Sequence, residues 1–213
     1  MLSSCAVDEH TQRSDSIALD RLIFFSDGVI AIAITLLALD LRLPDTPRIT
    51  NHDLVVMLGQ LLPRYLAFVV SFIVIGAYWR AHHRMFRFIH RFESALLVRN
   101  MVFLFFVVQL PFLTAILGMH GDLFAAVCLY AAGMASMGLS SAWIWRYAAR
   151  HHLTAGVTAL QAKYIARRAL VVPVVFLLSI PVALVRPQIA AFSWFAIMPV
   201  QALMLRGLRA HRV

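Results

Sequence analysis

No charged residue occurs between Leu123 and Trp145. A helix needs about 20 apolar residues to cross the hydrocarbon core of a bilayer, so a run of this kind commits the chain to lipid. Five others stand beside it. The six apolar segments read as 21–42, 54–79, 93–117, 123–146, 167–186 and 188–206. With 62% hydrophobic and only 14% charged residues, the composition is that of an all-α integral membrane protein with six transmembrane helices. Pro173 and Pro181 interrupt the fifth run, a break that membrane helices tolerate when neighbours satisfy the freed backbone groups.

The charges lie between the runs. Residues 1–20 form a polar tail with Asp8, Glu9, Arg13, Asp15 and Asp20 and no apolar core, so the first span itself is expected to direct insertion. Residues 21–206 form the membrane domain and 207–213 a second tail. Most of the arginines fall in both tails and in the connections around Arg80–Arg91 and Arg146–Arg168. The opposite side holds only Arg42, Arg48, Arg64 and Arg186. That asymmetry puts both termini in the cytoplasm. It also explains the formal net charge of +9 without nucleic acid as a partner. Tyr78, Trp79, Trp143, Trp145 and Tyr147 mark span ends, as an interfacial aromatic belt does. The loops have no room for a soluble catalytic domain, so an enzyme is not expected.

One carboxylate sits where lipid should be. In "RLIFFSDGVIAIAITLLALDL", Ser26 and Asp27 lie near the start of the first run. As a helix cap they would leave Gly28–Leu43 to cross, about 24 Å against roughly 30 Å of hydrocarbon. Starting at Arg21 gives a full crossing and puts both residues inside the helix. A carboxylate there costs about 2.5–3.5 kcal/mol, so it should face other helices and find donors. Candidates are Trp79, His82, His83 and Arg84 in "YWRAHHR", and Arg99 and Asn100 in "VRNMVF". Arg21 itself is too far round the helix. Beyond the pair, Val29, Ile32, Leu36 and Leu39 form an apolar stripe. Gly28, Ala31, Thr35 and Ala38 form a small, partly polar one. Ala132, Ser136 and Ser140 make a small-residue face that suits close helix packing.

These pieces resemble the transmembrane protein 175 family, the lysosomal potassium channel and its prokaryotic homologues. The likeness is carried by Arg21, Phe25, Ser26 and Asp27 in "RLIFFSD", by the rest of the first run, and by "YWRAHHRMF", "VRNMVFLFF" and "LPFLTAILG". The resemblance implies a potassium-permeable cation channel in a prokaryotic plasma membrane. It implies a homotetramer of six-helix subunits whose first helices line a central pore. By position, Ile32, Leu36 and Leu39 match its hydrophobic constriction, and Thr35 a threonine tied to cation preference. Arg21, Phe25, Ser26, Asp27, Trp79, His82 or His83, and Asn100 match a network that holds the pore helix. Four apolar side chains in a ring can close a pore by dewetting. No Thr-Val-Gly-Tyr-Gly filter is present, so modest selectivity for potassium is expected.

Rival readings are weaker. A proton- or cation-coupled secondary transporter would use Asp27, but such proteins usually show repeats and broken helices at the midplane. Metal or haem ligation by His82–His83 or His151–His152 fits poorly, because adjacent residues point to different helix faces. Cys5 and Cys128 make no disulfide framework. The expected partners are further copies of the chain, membrane lipid and the permeant potassium ion, with no cofactor.

Overall fold

The computed structural model describes residues 2–45, 48–194, 197 and 200, and within them every side chain except those of residues 2–12, 188, 191 and 192. Helix α1 spans Leu2–Leu36 and ends in a 3-10 turn, Leu37–Asp40. Helix α2 spans Asn51–Phe86, α3 Ser94–His120, α4 Phe124–Arg150, α5 Ala159–Val185 and α6 Pro187–Ser193. Five of these helices are long and apolar enough to cross a membrane, and no strand occurs among the described residues. Only the beginning of the expected sixth span, 188–206, lies within the described residues, and the tail 207–213 lies outside them.

The helices overrun the apolar segments at the end where most of the arginines lie. Helix α2 carries on from the expected limit near Trp79 to Phe86, because Arg80–Phe86 holds no proline or glycine to stop it. Likewise α5 begins at Ala159 rather than near Arg167. A capping box starts it: the Thr158 side chain accepts from the Gln161 amide, and Gln161 accepts from the Thr158 amide. The basic stretch 150–168 is therefore half loop and half helix. At the other terminus α1 runs through the segment read as a polar tail, with no break before Arg21.

Helix α4 is the centre of the bundle. It packs on α3 and on α5, and its buried residues include Tyr130, Met134, Met137, Ile144 and Trp145. Helix α1 is different. It touches α2 and α3 and lies on the flank of the bundle. Leu19, Leu22, Ser26, Ile30, Ala33 and Leu37 are its buried positions. They recur at helical spacing and occupy one side only.

The small-residue face of α4 is only partly where sequence spacing put it: Ser140 is buried. Ala132 is exposed and Ser136 only half-buried, while Gly138 is buried at the closest approach. A Cβ added at Gly138 would lie 2.6 Å from the Tyr78 hydroxyl of α2 and 2.7 Å from Pro173 Cδ of α5. The smallest residue goes where three helices meet, and a ring bonded to the backbone cannot yield. Gly138→Ala is expected to lower the stability of the detergent-solubilised protein by about 1–3 kcal/mol. Gly59→Ala meets nothing within 4 Å and is expected to leave it unchanged or raise it. Thermal melts of the two variants check this; equal melting temperatures would contradict it.

Candidate functional site

The buried side of α1 is tied to α2 and α3 by a one-way chain of hydrogen bonds. The Ser26 hydroxyl donates to the Leu22 carbonyl at 2.7 Å and accepts from Asn100 Nδ2 of α3 at 2.8 Å. Asn100 Oδ1 in turn pairs with His82 Nε2 of α2 at 2.8 Å. Since the asparagine amide is spent on Ser26, its oxygen must accept, and His82 carries its proton on Nε2. Ser26, His82 and Asn100 are all 0% exposed. The His82 ring stacks on Phe103 at 5.2 Å between centroids and packs against Phe86, which fixes its orientation. Its Nδ1 is enclosed and has no partner among the described residues.

Asp27 sits next to this chain and is half-buried. Its Oδ1 accepts from the Trp79 indole N–H at 2.8 Å. The two helices α1 and α2 are thus joined at two neighbouring points, by a carboxylate–indole bond and through the Ser26–Asn100–His82 chain.

The structure brings Ser26, Asp27, Trp79, His82 and Asn100 together and leaves Arg21, Phe25 and His83 out of that hydrogen-bonded set. Between the two histidines, which sequence alone did not separate, His82 is the one inside. His83 is one residue on, about 100° round the helix, and is exposed beside the Trp79 ring. Arg21 and Phe25 are exposed, about 140° and 100° round α1 from Ser26. The arginine expected near Asp27 from α3 also turns away. Arg99 donates to the Ala95 carbonyl and lies over the rings of Tyr147 at 3.7 Å and Trp143 at 4.6 Å, held by α4. Tyr147 in turn donates to the Glu93 carboxylate.

The remaining expected site residues share one bare face. Ile32 is 61% exposed, Leu39 52% and Leu36 38%, and Thr35, Ala31 and Gly28 are exposed with them. Val29, expected on the same stripe, is half-buried against the core. It lies 300° back from Ile32, on the shoulder where α1 meets its neighbours. The Thr35 hydroxyl donates to the Ile32 carbonyl at 2.8 Å, and Leu39 sits on the 3-10 turn rather than on α-helix.

Sequence reasoning missed a second buried polar group. Thr114 donates to Ser71 at 2.8 Å, Ser71 lies 3.0 Å from the Tyr130 hydroxyl, and all three are buried between α2, α3 and α4. Ser71, Tyr78 and His82 fall on one face of α2, and that spacing was the available signal. Among the described residues no cluster of three histidine, cysteine or acidic side chains could hold a metal ion.

The chain is similar to known proteins. Residues 21–111 match the family model of the endosomal/lysosomal potassium channel TMEM175. The stretch matched holds every member of the Ser26–Asp27–Trp79–His82–Asn100 group. Over that stretch the chain is similar to the TMEM175 family. It is 38% identical over 136 residues to a potassium channel of Streptomyces collinus, a match covering 61% of this chain and 64% of that one. It is 38% identical over 98 residues to the human endosomal/lysosomal proton channel TMEM175, covering 43% of this chain and 19% of that one. The crystal structure of a TMEM175 homologue from Chamaesiphon minutus superimposes with a TM-score of 0.75 at 28% identity, covering 87% of this chain and 97% of that one. The chain spans just under two thirds of the length of the curated bacterial relatives it matches. The relatives it matches are named as channels, and their names differ in the ion: potassium in the bacterial proteins, protons in the animal ones.

Proposed function

We propose that this chain forms a potassium-permeable cation channel in a prokaryotic plasma membrane, as a homotetramer of six-helix subunits with both termini in the cytoplasm. Four copies of α1 surround the pore. Ile32, Leu36 and Leu39 form its hydrophobic constriction, and Thr35 contributes to cation preference. The group Ser26, Asp27, Trp79, His82 and Asn100 fixes the helix that carries them, with Arg21, Phe25 and His83 at its margin.

One observation carries this reading. Helix α1 has two unlike sides: one pinned by a buried polar chain, the other apolar, bare and bearing a single hydroxyl. A helix that only met lipid would gain nothing from such exact anchoring at its polar end. A helix that must hold apolar side chains around an axis requires it, because the width of a dewetting constriction depends on where the backbone stands. The transporter reading through Asp27 loses weight on the same geometry, since the Trp79 bond joins that carboxylate to a neighbouring helix of its own subunit.

Reconstitution tests it. Liposomes loaded with potassium and containing the purified chain are expected to lose the ion along its gradient without any coupled solute, faster than protein-free liposomes. Release that is saturable and depends on a second ion would favour the transporter instead. No release at any voltage or pH would remove the channel reading.

A further inference from the structure

The Ser26–Asn100–His82 chain holds one part of α1, and the far end of that helix meets charges of its own. Between Leu54 and Trp79 the sequence of α2 carries one charged residue, Arg64. An arginine in such a run faces other helices and takes a partner. About 20 Å of α2, from Asn51 on, precede Arg64, yet it stands level with the last turn of α3. A Cβ added at Gly118 of α3 would lie 3.0 Å from Arg64 Cα and 3.3 Å from its Cγ, so the missing side chain is what lets the arginine stem lie against α3.

Beside that contact lies a cavity of about 40 Å³, lined by Leu37 and Asp40 of the 3-10 turn, Arg64 and Phe68 of α2, and Thr114 of α3. The turn packs on both of those helices. Asp40 and Arg64 are half-buried, and Thr114 directs its hydroxyl to Leu110 and Ser71. Two opposite charges therefore share a space that takes about three water molecules. The other charges at that end of α1, α2 and α3 lie elsewhere: Arg42, Asp45, Arg48 and Asp122 are exposed, and Asp53 is bound to Thr50 in the cap of α2. Consecutive residues of a 3-10 turn point about 120° apart. Asp40 thus lines the cavity while Leu39, its neighbour in sequence, is 52% exposed on the bare face.

We propose that Asp40 and Arg64 are positioning residues: joined across the cavity through water, they fix the last turn of α1 and with it the place of Leu39 at the constriction. The role rests on the reading that α1 lines the pore. Leu39 stands about 20 Å along the helix from Ser26, so the buried chain there does not by itself hold the far end against sideways movement. A half-buried charge pair does, because drawing the two apart leaves each charge without its counterpart in a poorly hydrated place.

Thermal melts of the detergent-solubilised full chain read the pair without any flux. Asp40→Asn and Arg64→Gln are each expected to lower the melting temperature by about 2–4 °C, because each leaves one charge unmatched. The double variant should fall no further than the worse single one, and exchanging the charges, Asp40→Arg with Arg64→Asp, should recover most of the loss. Should Arg64→Gln not fold, Arg64→Lys keeps the charge without the fork and is expected to show a smaller fall that Asp40→Asn abolishes. In potassium-loaded liposomes each single variant is expected to release the ion about threefold faster than the unmodified chain. Arg42→Gln, which alters an exposed charge at the same end, should move neither readout. Falls in melting temperature that simply add in the double variant overturn the pair. Single variants that release potassium at the unmodified rate overturn the positioning role and leave the channel standing. An unmodified chain that releases none removes the pore and the positioning role together, and the melts still report whether the two charges act on each other.

Discussion

Ile32→Asn is expected to raise potassium release from liposomes about tenfold, a change of about 1.4 kcal/mol in the barrier. The estimate follows from what water meets at a narrow ring. An isoleucine side chain favours an apolar environment over water by about 1.5–3 kcal/mol, so a ring of them empties readily. An amide of similar bulk holds water by hydrogen bonds and keeps the ring wet. Because Ile32 is 61% exposed and makes little of the subunit core, the substitution should cost the fold almost nothing, so the readout reports permeation rather than folding. Leu36→Asn and Leu39→Asn should act in the same direction, whereas Leu178→Asn, equally bare at 64% on α5, should not. Release that is the same in all three α1 variants as in the unmodified chain would mean that ions pass elsewhere.

Asn100→Leu is expected to be the most damaging single change at the polar site. It removes both hydrogen bonds that cross from α3 and leaves the Ser26 hydroxyl and the His82 Nε2–H facing an apolar side chain in a region with no water access. The His82 N–H left unpaired costs about 1–3 kcal/mol, and Ser26, which keeps its bond to Leu22, loses one accepted bond worth about 0.5–1.5 kcal/mol, for a total of about 1.5–4.5 kcal/mol. That corresponds to a fall of about 3–18 °C in melting temperature for a chain of this size. Trp79→Phe breaks the Asp27 bond at a position 40% exposed, where water can replace the indole, and should lower the melting temperature by much less. The order of the two variants is the informative part. If Asn100→Leu melts no lower than Trp79→Phe, the chain of hydrogen bonds through Asn100 is not what holds α1 to its neighbours.

Much of this protein was legible before any coordinates. The absence of charge from Leu123 to Trp145, and the lengths of the other runs, are one-dimensional facts, and the bilayer converts length directly into a crossing helix. The cost of a carboxylate in lipid picked out Asp27 in the same way, since the penalty depends on depth and not on neighbours. Other features needed three dimensions. Which histidine joins Asn100 depends on the rotation of α2 about its axis, and 100° separates His82, wholly enclosed, from His83, exposed beside Trp79. Arg99 and Asn100 are adjacent in sequence, yet one turns to the rings of α4 and the other to Ser26 of α1, because α3 lies between those helices. On α4 Ser140 is buried as expected, but Ala132 and Ser136 give way to Gly138, where space was decided by Tyr78 and Pro173 from two other helices. Sequence determined the elements, their medium and the residue that had to be hidden, since each is set by transfer free energy along one chain. Tertiary structure decided the partners, because a helix offers a new direction at every residue and only the neighbours determine which one is used.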